Sequence, residues 1–234
     1  MMDRIPASAI AFDLDGTLLD TVEDIAAAAN ALLAERGLPL LATDKVGTLV
    51  GKGMANLVRQ VLAVAQGVPA ASYDGATIEA ALVRFYAHYD AALGTGTRPY
   101  PGLAGALDRL RGMGFPLAIV TNKASRFVLP HLEHAGIAHH FDLLVGGDTL
   151  PTRKPDAGPL LHVAAAFGIP PARLLMVGDS INDVAAARAA GCPVLVLPHG
   201  YNEGRPVHEL DADGIVPTLD LVADRVRFIA AAAP

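Results

Sequence analysis

Five short apolar runs separated by helix-like stretches constrain this chain most. They are Ala9–Phe12, Pro116–Val120, Phe141–Val145, Leu174–Val177 and Val194–Leu197. Each has strand length and is bounded by Gly, Pro or polar residues. Helical patterns lie between them, at Leu103–Arg111, Ala124–Ala135, Asp156–Phe167 and Ile181–Ala190. Pro130 is expected to kink or restart its helix, and Pro155 to occupy a first turn. Gly214–Val216 reads as a short edge strand and Leu219–Ala231 as a final helix. Such alternation predicts a parallel sheet covered by helices on both faces.

One stretch breaks the alternation. From Asp20 to Leu93 there is no strand pattern. Thr21 is placed to cap a helix over Val22–Arg36, stopped by Gly37 and Pro39. Thr43 can cap a short helix ending near Gly51. A third helix follows Gly53 and runs to Gln66, and a fourth covers Asp74–Leu93. Gly94-Thr95-Gly96-Thr97 suits a return hinge. The expected organisation is an α/β fold with a Rossmann-like parallel sheet and a small inserted helical cap. Residues 1–19 and 95–234 form the catalytic core, and residues 20–94 the cap.

Composition excludes several classes. The 234 residues carry a net charge of −6, with 18% charged residues and no standout basic patch, so nucleic acid is not an expected partner. No apolar run approaches membrane-spanning length, and the N-terminus lacks a signal-peptide pattern. A soluble cytoplasmic protein, monomeric or homodimeric, is expected. Cys192 is the single cysteine, flanked by Gly191 and Pro193-Val194-Leu195, and reads as a buried thiol.

In open α/β sheets, ligands bind beyond the carboxyl ends of the strands. Four polar clusters fall there. Asp13-Leu14-Asp15-Gly16-Thr17 follows the first run, and Thr121-Asn122 ends the second. Lys154 lies after the third, and Gly178-Asp179-Ser180 ends the fourth. Asp13 and Asp15 alternate in an extended segment, so they share one side of the strand end. Adjacent carboxylates repel, and a hard cation such as Mg²⁺ between them removes that cost. A calcium loop is excluded because Asp24, not Glu, stands at the twelfth position.

This set suits phosphoryl transfer. Asp13 would attack phosphorus, and Asp15 would protonate the leaving oxygen and then deprotonate water. Thr121, with backbone N–H groups of the turns at Gly16 and Asn122, would hold phosphoryl oxygens. Lys154 would bridge the phosphoryl group and Asp13. Asp179 would bind metal, and Asp183 would orient a metal-bound water or Lys154. Gly51-Lys52-Gly53, before a helix start, would receive a carboxylate of the substrate. His131, His134, His139 and His140 crowd together, but no cysteine or acidic residue at ligand spacing supports zinc.

These motifs resemble those of the haloacid dehalogenase superfamily. Asp13-Leu14-Asp15-Gly16-Thr17 is similar to its first motif, Val120-Thr121-Asn122 to its second, Lys154-Pro155 to its third, and Gly178-Asp179-Ser180-Ile181-Asn182-Asp183 to its fourth. The resemblance implies that Asp13 is the nucleophile. It also implies that the metal is touched by the main-chain carbonyl of Asp15 rather than its side chain. Asp15 argues for a phosphatase, since the dehalogenase branch lacks it. Val50-Gly51-Lys52-Gly53, Gly146–Pro155 and His199-Gly200-Tyr201-Asn202 are similar to the bacterial phosphoglycolate phosphatase branch. That implies hydrolysis of 2-phosphoglycolate. Lys52 is the departure, standing where the branch would have asparagine. A sugar-phosphate phosphatase, a phosphosugar mutase and a non-catalytic binding protein are the other readings.

Overall fold

The computed structural model describes residues 4–202 and 204–230. In chain order, β1 (Ile5–Ala7) and β2 (Ala9–Phe12) are followed by β3 (Leu19–Asp20). Four helices come next: α1 (Val22–Glu35), α2 (Thr43–Gly47), α3 (Met54–Gln66) and α4 (Gly75–Ala92). The chain then forms β4 (Arg98–Pro99), α5 (Leu103–Gly112), β5 (Leu117–Val120), α6 (Ser125–His134) and β6 (Leu143–Val145). It continues through α7 (Gly158–Ala166), β7 (Leu174–Gly178), α8 (Ile181–Ala190), β8 (Val194–Val196) and β9 (Gly214–Ile215). It closes with α9 (Val222–Arg225) and β10 (Val226–Phe228).

The main sheet has the order β6-β5-β2-β7-β8-β9. Every pairing in it is parallel. β2 lies inside the sheet, with Ala11 level with Ala118 on one neighbour and Met176 on the other. Alternation along each strand builds two apolar layers. Ile10, Phe12, Leu117, Ile119, Leu175 and Val177 face a layer completed by α5, α6 and α9. Ala9, Ala11, Ala118, Val120, Leu174 and Met176 face α7 and α8. The central strand is thus buried on both faces, which is why it reads as an unbroken apolar run.

The four helices α1–α4 enclose an apolar cluster of their own, including Ile25, Leu32, Val58, Val61, Phe85 and Tyr89. It extends onto Phe127 and Ala124 of the sheet side. The two chain crossings between sheet and helices pair with each other, β3 running antiparallel to β4. Asp24, buried in the first turn of α1, clasps the second crossing. It accepts from the N–H groups of Gly94 (2.7 Å) and Gly96 (2.6 Å) and from the Thr97 hydroxyl (2.6 Å).

Several expectations are corrected. The C-terminal segment is not one helix. Leu219–Leu221 is a 3-10 turn, α9 lasts four residues, and Val226–Phe228 extends beside β1 in parallel. Val226 is fully buried there, and a β-branched residue alternating with Phe228 favours the strand. Ala231, the expected end of that helix, lies outside the described residues. The helix expected from Asp156 starts at Gly158 with Pro159, not Pro155, in its first turn. The short helix after Thr43 stops at Gly47 and has no side-chain cap. Thr21 does not cap α1 either. The Tyr201 hydroxyl oxygen instead accepts from the N–H groups of Thr21 (2.9 Å) and Val22 (3.0 Å), so the Thr21 hydroxyl is available elsewhere.

Candidate active site

The carboxyl ends of β2, β5 and β7 converge with the loop after β6. Asp13 extends β2, its N–H bonded to the Val177 carbonyl of β7. Its Oδ1 accepts from the Leu14 N–H at 2.7 Å and lies 2.9 Å from Lys154 Nζ. The Lys154 ammonium is buried and also donates to the Val120 carbonyl (2.7 Å) and to Asp183 Oδ1 (2.6 Å). Asp183 Oδ2 in turn accepts from the Ser180 N–H (3.0 Å) and hydroxyl (2.7 Å). This reciprocal cap fixes the start of α8 and, through it, Lys154.

Asp179 completes the anionic centre. Its Oδ1 accepts from the Thr17 hydroxyl at 2.5 Å and its Oδ2 from the Tyr201 N–H at 2.6 Å. Two glycines make room for it. A Cβ on Gly16, which sits at φ +85°, would lie 2.6 Å from Asp179 Oδ2, and one on Gly200 would lie 2.1 Å away. Burial pushes the Asp13 carboxyl up to about 7 despite the opposing charge of Lys154. Burial also drives Asp179 well above the usual carboxylate range, with Asp183 and Asp13 adding repulsion. Burial opposes the charge on Lys154, yet Asp13 and Asp183 keep it protonated above its ordinary range.

Carboxylate oxygens of Asp13, Asp179 and Asp183 lie within 4.8 Å of one another. Three buried carboxylates, two with raised proton affinity, fit a hard divalent cation. Asp13 and Asp179 are the better placed donors, because both line the open space between the sheet and the helices, whereas Asp183 does not. The Asp15 side chain is outside this group. Its Oδ1 accepts from Lys123 Nζ at 2.9 Å and from the Thr21 hydroxyl at 2.7 Å. Burial raises the proton affinity of Asp15, but Lys123 overrides it and holds the carboxyl below the usual range. Two carboxylates two residues apart therefore sit in opposite environments.

Thr121 is buried at the end of β5, its hydroxyl accepting from the Lys123 N–H at 3.2 Å. That leaves its proton for an incoming oxygen. Asn122 Nδ2 donates to the Gly51 and Lys154 carbonyls, both at 2.9 Å. Asn182 Nδ2 reaches the same Gly51 carbonyl at 3.4 Å. The turn before α3 is thereby tied to the sheet side. A space of about 440 Å³, including its open mouth, lies between the two. Asp13, Asp15, Thr121 and Asp179 line it from the sheet side; Val50, Gly51, Gly53, Met54 and Leu57 line it from the helical side. Lys52 is exposed and outside that lining. Lys123, Tyr201, Asn182 and Thr17 were not singled out from sequence. A lysine directly after Thr121-Asn122 at a buried strand end was the available signal for Lys123.

Comparison with known proteins agrees with this geometry. The haloacid dehalogenase-like hydrolase family matches residues 10–197. A phosphoglycolate phosphatase of Thiobacillus denitrificans is 45% identical over 92% of this chain and 93% of its own. One from Nitrosospira multiformis is 47% identical over the same shares of the two chains. The crystal structure of a predicted phosphoglycolate phosphatase from Haemophilus somnus superposes with a TM-score of 0.87 at 33% identity, covering 93% of this chain and 97% of that one.

Proposed function

The chain belongs to the haloacid dehalogenase-like hydrolase family, and on that premise we propose that it hydrolyses a small phosphate monoester, 2-phosphoglycolate foremost, through a phosphoryl group carried on Asp13. The observation that carries this reading is the unequal holding of two neighbouring carboxylates. Asp13 is bonded to Lys154 and grouped with Asp179, whereas Asp15 is held apart on Lys123 and Thr21. Carboxylates whose environments differ in this way take different roles.

An Asp13 oxygen attacks phosphorus, and the bond from phosphorus to the ester oxygen breaks. Asp15 gives its proton to that leaving oxygen. A phosphoryl dianion beside Asp15 raises its proton affinity, so Asp15 takes up a proton from solvent as the substrate binds. Water then attacks the phosphorus on Asp13, its proton passes to Asp15, and the bond to Asp13 breaks. Asp13 is regenerated as a free carboxylate, and Asp15 returns its proton to solvent when phosphate departs. Lys154 and the Thr121 hydroxyl offset the charge on the phosphoryl oxygens. Asp13, Asp179 and the Asp15 carbonyl would hold Mg²⁺, which would supply further charge neutralisation.

Residues 20–94 act as a cap over residues 1–19 and 95–234. The backbone N–H groups of the Gly51–Gly53 turn and the first turn of α3 suit the substrate carboxylate, and Lys52 adds positive charge near the mouth. The relatives' name supports glycolate as the alcohol. The test is phosphate release from a panel of monoesters in Mg²⁺ and in excess chelator. 2-Phosphoglycolate should exceed sugar phosphates at least tenfold in kcat/KM, and chelator should abolish turnover. A sugar phosphate leading the panel, or full activity in chelator, contradicts the reading.

A further inference from the structure

Lys123 is a fully buried ammonium between two parts of the chain. Its Nζ lies 2.9 Å from Asp15 Oδ1 and 2.6 Å from the Tyr89 hydroxyl oxygen. Tyr89 is fully buried and belongs to α4, the last helix of the helical layer. Its ring stacks on Phe85 (5.7 Å) and meets Phe127 of α6 edge-on (4.9 Å). The hydroxyl proton of Tyr89 has an acceptor in His131 Nε2 at 3.3 Å, because His131 Nδ1 donates to the Phe127 carbonyl at 2.8 Å. Each member of this chain of bonds is thus fixed by the next.

A buried lysine without partners costs several kcal/mol, so its place needs a reason beyond packing. Asp15 has one other side-chain partner among the described residues, the Thr21 hydroxyl at the start of α1. Its two anchors therefore come from Lys123, itself tied to α4, and from the first chain crossing. We propose that Lys123, bridged to Tyr89, is a positioning residue that fixes the Asp15 carboxylate and makes its placement depend on helix α4. The inference rests on the acid–base role proposed for Asp15. Lys123 acts through Asp15 and not on the phosphoryl group itself.

The test is a double-mutant cycle in kcat/KM, which reports steps up to departure of the alcohol. Wild type, Lys123→Met, Asp15→Asn and the double variant are assayed on 2-phosphoglycolate and on p-nitrophenyl phosphate. The second ester has a good leaving group and needs little acid assistance. Lys123→Met should lose at least tenfold on 2-phosphoglycolate and less than threefold on p-nitrophenyl phosphate. In the Asp15→Asn background it should change either value less than twofold. Equal losses on both esters, or a further tenfold loss in that background, would overturn the proposal, since Lys123 would then act independently of Asp15. If Asp15→Asn itself does not discriminate between the esters, the acid–base reading falls and the inference with it. If Asp15→Asn discriminates and Lys123→Met does not, only the inference falls. Tyr89→Phe keeps the ring contacts and carries the test should Lys123→Met not fold. It should show the same preference at about threefold, and equal losses on both esters would break the link to α4.

Discussion

Asp179 shows how closely this site is built around single atoms. Its two oxygens accept from Thr17 and Tyr201, and Gly16 and Gly200 press against it from two loops. Any side chain at position 200 must displace the carboxylate. Gly200→Ala is therefore expected to raise the Mg²⁺ concentration for half-maximal activity at least tenfold; an unchanged value would remove Asp179 from the metal site. At this scale the sequence was partly legible. Asp13, Asp15, Thr121, Lys154, Asp179 and Asp183 announce themselves because strand ends followed by polar residues map to one sheet edge. The environment of each was not legible. That Asp15 is held by Lys123 and Thr21 depends on contacts 108 and 6 residues away. The Thr21 hydroxyl, expected to cap α1, reaches Asp15 because Tyr201 takes over the helix start from 180 residues away. Lys52, expected to touch the substrate, is exposed and outside the cavity lining.

At the scale of elements, α4 and α6 meet through Tyr89 and His131. Burial is the main cause that lowers His131 from 6.5 to about 4, with Lys123 adding repulsion and Asp15 and Asp24 opposing it. Its ring is fully buried, with Tyr89 and the Asp24 carboxylate, 3.9 Å away, facing it. The folded state thus keeps His131 neutral where the unfolded chain takes up a proton. The unfolded chain binds more protons between those two values, so stability falls as pH drops through that window. From pH 7 to pH 5 this group alone should remove about 2 kcal/mol, at about 1.4 kcal/mol per pKa unit. Urea midpoints of wild type and His131→Phe at both pH values check it. The variant should show a shallower loss, and parallel losses would mean that His131 does not titrate this way. Helices with clear end signals, such as α3 between Gly53 and Gly67 and α8 between Ser180 and Gly191, are legible in the sequence to the residue or nearly so. Of the short pieces, β9 at Gly214–Ile215 is legible and four others are not. β1, β3, β4 and β10 span two or three residues each, and their pairing across the whole chain decides their shape. Val226–Phe228 looks helical only until β1 is there to pair with it.

At the scale of the whole molecule, the strand ends supply the charged groups and the helical layer the apolar wall of one shared cavity. The two share a polar seam from Asp15 through Lys123 and Tyr89, and the Asp24 clasp ties the second crossing to α1. The Gly51 carbonyl, gripped by Asn122 and Asn182, ties the turn before α3 to the sheet side of the cavity. Under the proposed mechanism, a closed site would exclude water until the alcohol has left, favouring transfer to the protein first and hydrolysis second. The proposed chemistry therefore turns on a phosphoryl group carried by Asp13. The direct measurement is acid quench during turnover of 2-phosphoglycolate with Mg²⁺, followed by peptide mass spectrometry. A phosphoryl mass is expected on the peptide containing Asp13, and none in Asp13→Asn. Turnover with that peptide unmodified at every quench time, or the phosphoryl group on another residue, would contradict it.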